Sequence, residues 1–115
     1  MSAVSRLSSE ALEQVAERFR VLGEPTRLRL LEAMRHEARS VGDLVEATEA
    51  GQANVSKHLR LLHGAGLVGR RREGTTVYYH LADPSVLQLC DLVCGRLAAT
   101  HDKRRKALGR RVPPG

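Results

Sequence analysis

The run Gln52-Ala-Asn-Val-Ser-Lys-His-Leu-Arg-Leu-Leu62 decides the fold. On a helical wheel at about 100° per residue, Leu59 and Leu62 fall within roughly 40° of Val55. Ala53, Lys57 and Arg60 take the opposite side, flanked by Ser56. One side is built to pack, and the other is small, polar or cationic. The spacing predicts a helix over 52–63, ended by Gly64-Ala-Gly66. Upstream, Ser40-Val-Gly-Asp43 is a capping-box pattern, with Ser40 as N-cap and Asp43 reaching back, and it opens a short helix through Ala47. Thr48-Glu-Ala-Gly51 makes the turn between the two helices. Downstream, the strand-like runs 67–72 and 76–81 flank Glu73-Gly74-Thr75, a hairpin signature. Val77, Tyr79 and Leu81 alternate there with Thr76, Tyr78 and His80.

Further out, Leu12, Val15, Phe19 and Leu22 recur at three- and four-residue steps, predicting a helix over 9–22 that Ser8 or Ser9 caps and Gly23 stops. Pro25 suits the first turn of the next helix, where its missing N–H costs nothing. Leu28, Leu30, Leu31 and Met34 line that helix to about Arg35. Asp83 as cap and Pro84 at the first position start a final helix to about Thr100, apolar around most of its girth. The expected division is a flexible N-terminus (1–8), a folded domain (9–100) and a basic, disordered tail (101–115). Two short helices, a tight turn and a basic hairpin describe a winged helix-turn-helix: mostly α, with a small β-hairpin.

The chain has 115 residues, a net charge of +6 and three aromatic residues. That length fits one compact domain. No apolar run nears the roughly 18 residues of a membrane span. The start, MSAVSRLSSE, lacks the apolar core of a secretion signal, and two cysteines make no disulfide framework, so a cytoplasmic location is expected. Charge placement says more than its total. Residues 52–72 carry Lys57, Arg60, Arg70, Arg71 and Arg72 and no acid, and the tail adds Lys103, Arg104, Arg105, Lys106, Arg110 and Arg111. Basic clusters without interleaved acid attract polyanions, and double-stranded DNA is the partner this pattern fits.

A helix that enters a major groove must show groups that pair with base edges. Gln52 and Asn54 can pair with adenine, Lys57 with guanine, and Ala53 can touch a thymine methyl, with Ser56 beside them. Arg60, Arg70, Arg71 and Arg72 suit phosphates, and Thr75 sits at the hairpin tip with them. A protein-interaction module on the same scaffold is the rival reading, although acid on this face would have favoured it. Double-stranded RNA is disfavoured, because its major groove is too narrow for a helix. Paired carboxylates, a nucleophile–base grouping and a phosphate-cradling loop are all absent from the sequence, which argues against an enzyme.

The segments Leu22-Gly-Glu-Pro-Thr-Arg-Leu-Arg-Leu-Leu31, 52–62, Ala65-Gly-Leu-Val68 and Arg71-Arg-Glu-Gly-Thr-Thr-Val-Tyr-Tyr-His-Leu-Ala82 resemble the ArsR/SmtB transcriptional regulators, over about residues 9–100. The resemblance implies a cytosolic homodimer joined by its first and last helices. It further implies a palindromic operator, usually repressed, and release when a metal ion or oxidant acts. Gly51 departs from the Ser or Thr cap of many relatives, at a cost of only a few tenths of a kcal/mol.

The family's thiol site is a Cys-x-Cys at the start of the third helix; here Ser40, Val41, Gly42 and Asp43 stand there. Its other site, for zinc or nickel, spans the last helices with Asp and His ligands. Asp83 remains, Ser85 replaces a His, Arg96 and Ala99 occupy the partner's ligand positions, and only His101 and Asp102 could stand in. Cys90 and Cys94, one turn apart, are either a redox or soft-metal pair or two small buried hydrophobes. Histidines 36, 58, 63, 80 and 101 form no pair at four-residue spacing, and His58 is expected to pack at the flank of its helix. Control by a separate partner protein is the third alternative.

Overall fold

The structure, a computed structural model, describes residues 7–107. Residues through Asp83 form one compact unit, and those from Pro84 form a second. In the first unit, α1 (Ser9–Leu22) and α2 (Pro25–Ala33) lead to β1 (Arg39–Ser40), α3 (Val41–Thr48), α4 (Gln52–Gly64), β2 (Val68–Glu73) and β3 (Thr76–Leu81). The second unit is α5 (Ser85–Ala107).

Local chemistry sets most of these boundaries. Ser8 Oγ accepts from Ala11 N–H at 3.1 Å to start α1, and the Gly23 N–H donates back to Arg20 O. Glu24 caps α2, its carboxylate accepting from Arg27 N–H at 3.0 Å, with Pro25 in the first turn. α3 opens on the reciprocal box: Asp43 N–H donates to Ser40 Oγ at 3.1 Å, and Ser40 N–H donates to Asp43 Oδ2 at 3.4 Å. It closes on Glu49 at φ 57°, a left-handed residue without the glycine such positions favour.

The core comes from one face of each element. Leu30 and Leu31 of α2, Met34 just beyond it, Leu44 of α3, Val55, Leu59 and Leu62 of α4, and Leu67 are all within 2% of full burial. Each large apolar side chain so removed from water is worth about 1.5–3 kcal/mol. Thr48 also lies in this interior, its hydroxyl donating to Leu44 O at 2.7 Å.

The expected hairpin is part of a three-stranded antiparallel sheet in the order β1-β3-β2. β2 and β3 pair from Val68↔Leu81 to Glu73↔Thr76. That leaves a two-residue turn headed by Gly74 at φ 63°, the position where a II′ turn calls for glycine. β1 adds Arg39↔Tyr79 and Ser40↔Tyr78. Two residues give no alternation to read, so this strand left no signal in the sequence.

Several expected boundaries move: α3 ends at Thr48, not Ala47, α4 at Gly64, not His63, and β2 runs over Val68–Glu73, not 67–72. α2 ends at Ala33, not near Arg35, and α5 starts at Ser85, not Pro84. α5 also continues past Thr100 to Ala107, so residues 101–107, expected as tail, are helical. The stretch 101–107 is His-Asp-Lys-Arg-Arg-Lys-Ala, with no Gly or Pro to stop a helix. The rest of the expected tail, 108–115, and residues 1–6 lie outside the described residues.

Candidate nucleic-acid interface

α4 divides as its periodicity requires. Val55, Leu59 and Leu62 are fully buried. Gln52, Ala53, Asn54, Lys57 and Arg60 are exposed, and Ser56 is half-buried at the edge. Among the described residues neither Lys57 nor Arg60 has a carboxylate partner, so both ammonium and guanidinium face water.

The C-terminus of α4 explains how the wing is aimed. Gly66, at φ 77°, donates to His63 O at 3.0 Å, and Leu67 N–H donates to Leu62 O at 3.0 Å. These are the two bonds of a Schellman motif, completed by burial of Leu62 and Leu67. Ala82 N–H then donates to Leu67 O at 3.0 Å, closing the base of the wing against the end of the helix.

On the wing, Arg70 pairs across to Tyr79 and Arg72 to Val77, so both occupy the same face of β2. With Val41 and Arg71 they line an open groove of about 440 Å³. Among the described residues Arg70 and Arg72 have no acidic partner. Arg71 is placed differently. Its Nε donates to Glu73 Oε1 at 3.1 Å, and its guanidinium carbon stands 5.7 Å from the Tyr78 ring centroid. Thr75 is exposed in the turn beside it.

A buried polar bridge beneath α4 escaped the sequence reading. His58 is 7% exposed, and its Nδ1 accepts from Arg27 Nε at 3.1 Å. The imidazole therefore carries its proton on Nε2, which faces Glu24 Oε2 at 3.8 Å. Arg27 Nη1 also donates to Val21 O at 3.1 Å, so one guanidinium ties the end of α1 to the middle of α4. The expected packing of His58 at the helix flank becomes a hydrogen-bonded position inside. Arg18 makes a second tie: its Nη2 donates to Ala65 O at 3.1 Å, and its Nη1 meets Asp83 Oδ2 at 3.5 Å.

The remaining candidates are not gathered into a centre. Asp83 lies against Arg18, while His101 and Asp102 are exposed on α5. Among the described residues, no three His, Cys, Asp or Glu side chains stand close enough to hold a metal ion together. Cys90 is half-buried, Cys94 is exposed, and neither is in a disulfide.

A family model described as "Bacterial regulatory protein, arsR family" matches residues 24–69. The regulator NmtR of Mycobacterium tuberculosis is 41% identical over 85 residues, covering 74% of this chain and 71% of that protein. The chain belongs to the ArsR family. A transcriptional repressor SmtB homolog of Synechocystis sp. is also 41% identical, over 83 residues that make 72% of this chain and 63% of the relative. The match thus spans less than two thirds of that relative's length. Among solved structures, Rv0081 of Mycobacterium tuberculosis superposes with a TM-score of 0.75 at 33% identity, covering 84% of this chain and 98% of that one. The homodimeric winged helix-turn-helix domain of Mb0332 from Mycobacterium bovis, a possible ArsR-family regulator, gives 0.70 at 32% identity, covering 90% and 95%. ArsR-family proteins are DNA-binding transcriptional regulators, and an ArsR-family winged helix-turn-helix is the fold seen here.

Proposed function

We propose that this ArsR-family protein is a dimeric transcriptional repressor that reads a palindromic operator with α4 and grips flanking phosphates with its wing. The exposed, acid-free face of α4 carries the reading. Gln52, Ala53, Asn54, Ser56 and Lys57 would meet base edges, whereas Arg60, Arg70 and Arg72 would hold phosphates. Arg71 and Thr75 complete the wing tip, with Arg71 held back by Glu73 until DNA competes for it. A second copy of the chain supplies the twofold symmetry, with half-sites about one helical turn apart. Its support is the apolar surface left uncovered on the first and last helices. Leu12, Val15 and Phe19 of α1 and Leu92, Val93 and Leu97 of α5 are all exposed, Phe19 at 56% and Leu92 at 69%. Large exposed apolar side chains of this kind mark association surfaces.

The test is a titration of labelled DNA from the protein's own upstream region, followed by anisotropy. Lys57→Ala should weaken binding about tenfold or more, in line with the ~1–3 kcal/mol of a good base contact. Its thermal midpoint and sedimentation should match the parent. Unchanged affinity in that variant and in Arg60→Ala would remove α4 from the docking role.

A further inference from the structure

One face of the wing changes character part-way along. Val68, Arg70 and Arg72 of β2 share it with Leu81, Tyr79 and Val77 of β3. Val68 and Tyr79 are buried, at 2% and 7% exposure. Nearer the turn, two exposed arginines take the positions that alternation on a packed face would give to apolar residues. They border the open groove of about 440 Å³, whose apolar lining is Val41, Val77 and Tyr79. We propose that this groove binds a small aryl anion, a single ring carrying one carboxylate or phosphate, and that its occupant competes with DNA for Arg70 and Arg72. The site stands without the docking role of the wing; only the competition rests on that reading.

A surface that grips phosphates needs only cations. This one adds a recess with an apolar lining, which the phosphodiester backbone of DNA does not use. Val41, at the start of α3, and Val77 are half-buried, so each keeps surface that an apolar body can cover. A volume of about 440 Å³ also lies within the roughly 300–1,000 Å³ of small-molecule sites.

The two guanidinium groups select the head group. Residues two apart on a strand are separated by roughly 6.5 Å, within reach of two long arginine side chains closing on one anion. Among the described residues neither Arg70 nor Arg72 has an acidic partner, whereas Arg71, the third arginine at the groove, is held by Glu73. An arginine fork matches a carboxylate or phosphate two oxygens at a time, and its flat face stacks on aromatic rings. An aliphatic anion uses the fork alone. An aryl anion uses the fork, the stacking face and the apolar lining together. Once it is seated, the two wing cations no longer serve DNA, and operator binding loses their electrostatic share while α4 keeps its own.

Benzoate and phenyl phosphate are the probes, with benzamide, acetate and inorganic phosphate as controls. Each is titrated into the full chain without DNA and followed by amide NMR. Both probes should saturate, with the largest shifts at Val41, Arg70, Arg72 and Val77, and should bind at least about tenfold more tightly than any control. Arg70→Ala combined with Arg72→Ala should lower probe affinity by at least about tenfold. Arg70→Lys combined with Arg72→Lys should recover only part of it, because lysine keeps the charge and loses the fork. Val77→Thr should weaken both probes and leave inorganic phosphate unchanged. Controls that bind as tightly as the probes, shifts centred on α4 or α5, or a double alanine variant with parent affinity would overturn the site. Lys57→Ala, outside the groove, should bind the probes normally, so a failed docking face and a failed groove give different results. Operator titration at constant ionic strength reads the competition: saturating phenyl phosphate should weaken operator binding several-fold more than acetate does, and an equal effect of the two overturns it.

Discussion

The bridge between Arg27 and His58 makes a quantitative prediction. His58→Leu removes the acceptor for Arg27 Nε but fills the same interior, so the loss is chiefly the hydrogen bond and an unpartnered N–H on a part-buried guanidinium. A bond involving a charged group contributes about 1.5–3 kcal/mol. Arg27→Met does more damage, because it strips partners from both His58 Nδ1 and Val21 O. Two buried acceptors left bare cost about 1–3 kcal/mol each. In the double variant the His58 acceptor no longer exists to be orphaned, so its cost should fall short of the sum of the singles by about 1–2 kcal/mol.

The measurement is urea unfolding of the parent, both single variants and the double variant. All four must be run at one protein concentration, since a dimer's stability depends on it. His58→Leu should lower the thermal midpoint by roughly 5–10 °C. His58→Asn, whose Oδ1 occupies the position of Nδ1 and accepts in the same way, should recover part of that loss. Strict additivity within about 0.3 kcal/mol would show that the two side chains do not interact, and the buried bridge would have to be abandoned.

Other expectations are sharper for being local. A methyl group at Gly69 would stand 2.5 Å from His80 Nε2 and 2.6 Å from Cε1, so Gly69→Ala should cost about 1–3 kcal/mol by denaturation, and most of that cost should vanish in a His80→Ala background. Glu49→Gly relieves the left-handed backbone at the end of α3 and should raise stability by about 0.5–1 kcal/mol; a lower urea midpoint would contradict the assigned φ. Glu73→Gln frees Arg71, whose ion pair is more than half exposed on both sides, so stability should move by less than about 0.5 kcal/mol. Operator binding by that variant should strengthen, with the log–log salt dependence steepening by roughly 0.9 if Arg71 takes one phosphate.

What could be read from the sequence follows from the range of each interaction. The box of Ser40 and Asp43 spans three residues, the Schellman closure at Gly66 spans five, and Pro25 acts on its own turn. Such signals survive in a linear string, as does the periodicity that buries Val55, Leu59 and Leu62. Arg27 and His58 are 31 positions apart, and nothing in either neighbourhood marks the other as its partner. Arg71 is the instructive intermediate. Its opposition to Tyr78 could be counted from the hairpin, but its bond to Glu73 depends on Glu73 ending β2 instead of joining the turn. The sequence therefore shows the charges of the proposed docking surface but not which of them are engaged within the chain.

The two arginine ties give that surface a mechanical property. Arg27 links Val21 O at the end of α1 to His58 in the middle of α4, and Arg18, from the preceding turn of α1, links to Ala65 O at the cap of α4. Two separated attachments fix an axis as well as a point, so α1 cannot tilt against α4 without breaking one of them. α1 also exposes Leu12, Val15 and Phe19, the residues proposed to meet the second copy. In the proposed dimer a change in how two copies meet along α1 would be passed to α4 through these ties, because packed interiors resist continuous deformation. On the proposed palindromic operator, with half-sites about one turn of DNA apart, a small rotation of each α4 would move both reading heads off register together. On the proposed function, dimer packing and operator affinity become one equilibrium, and Arg18 and Arg27 are the side chains that would join them.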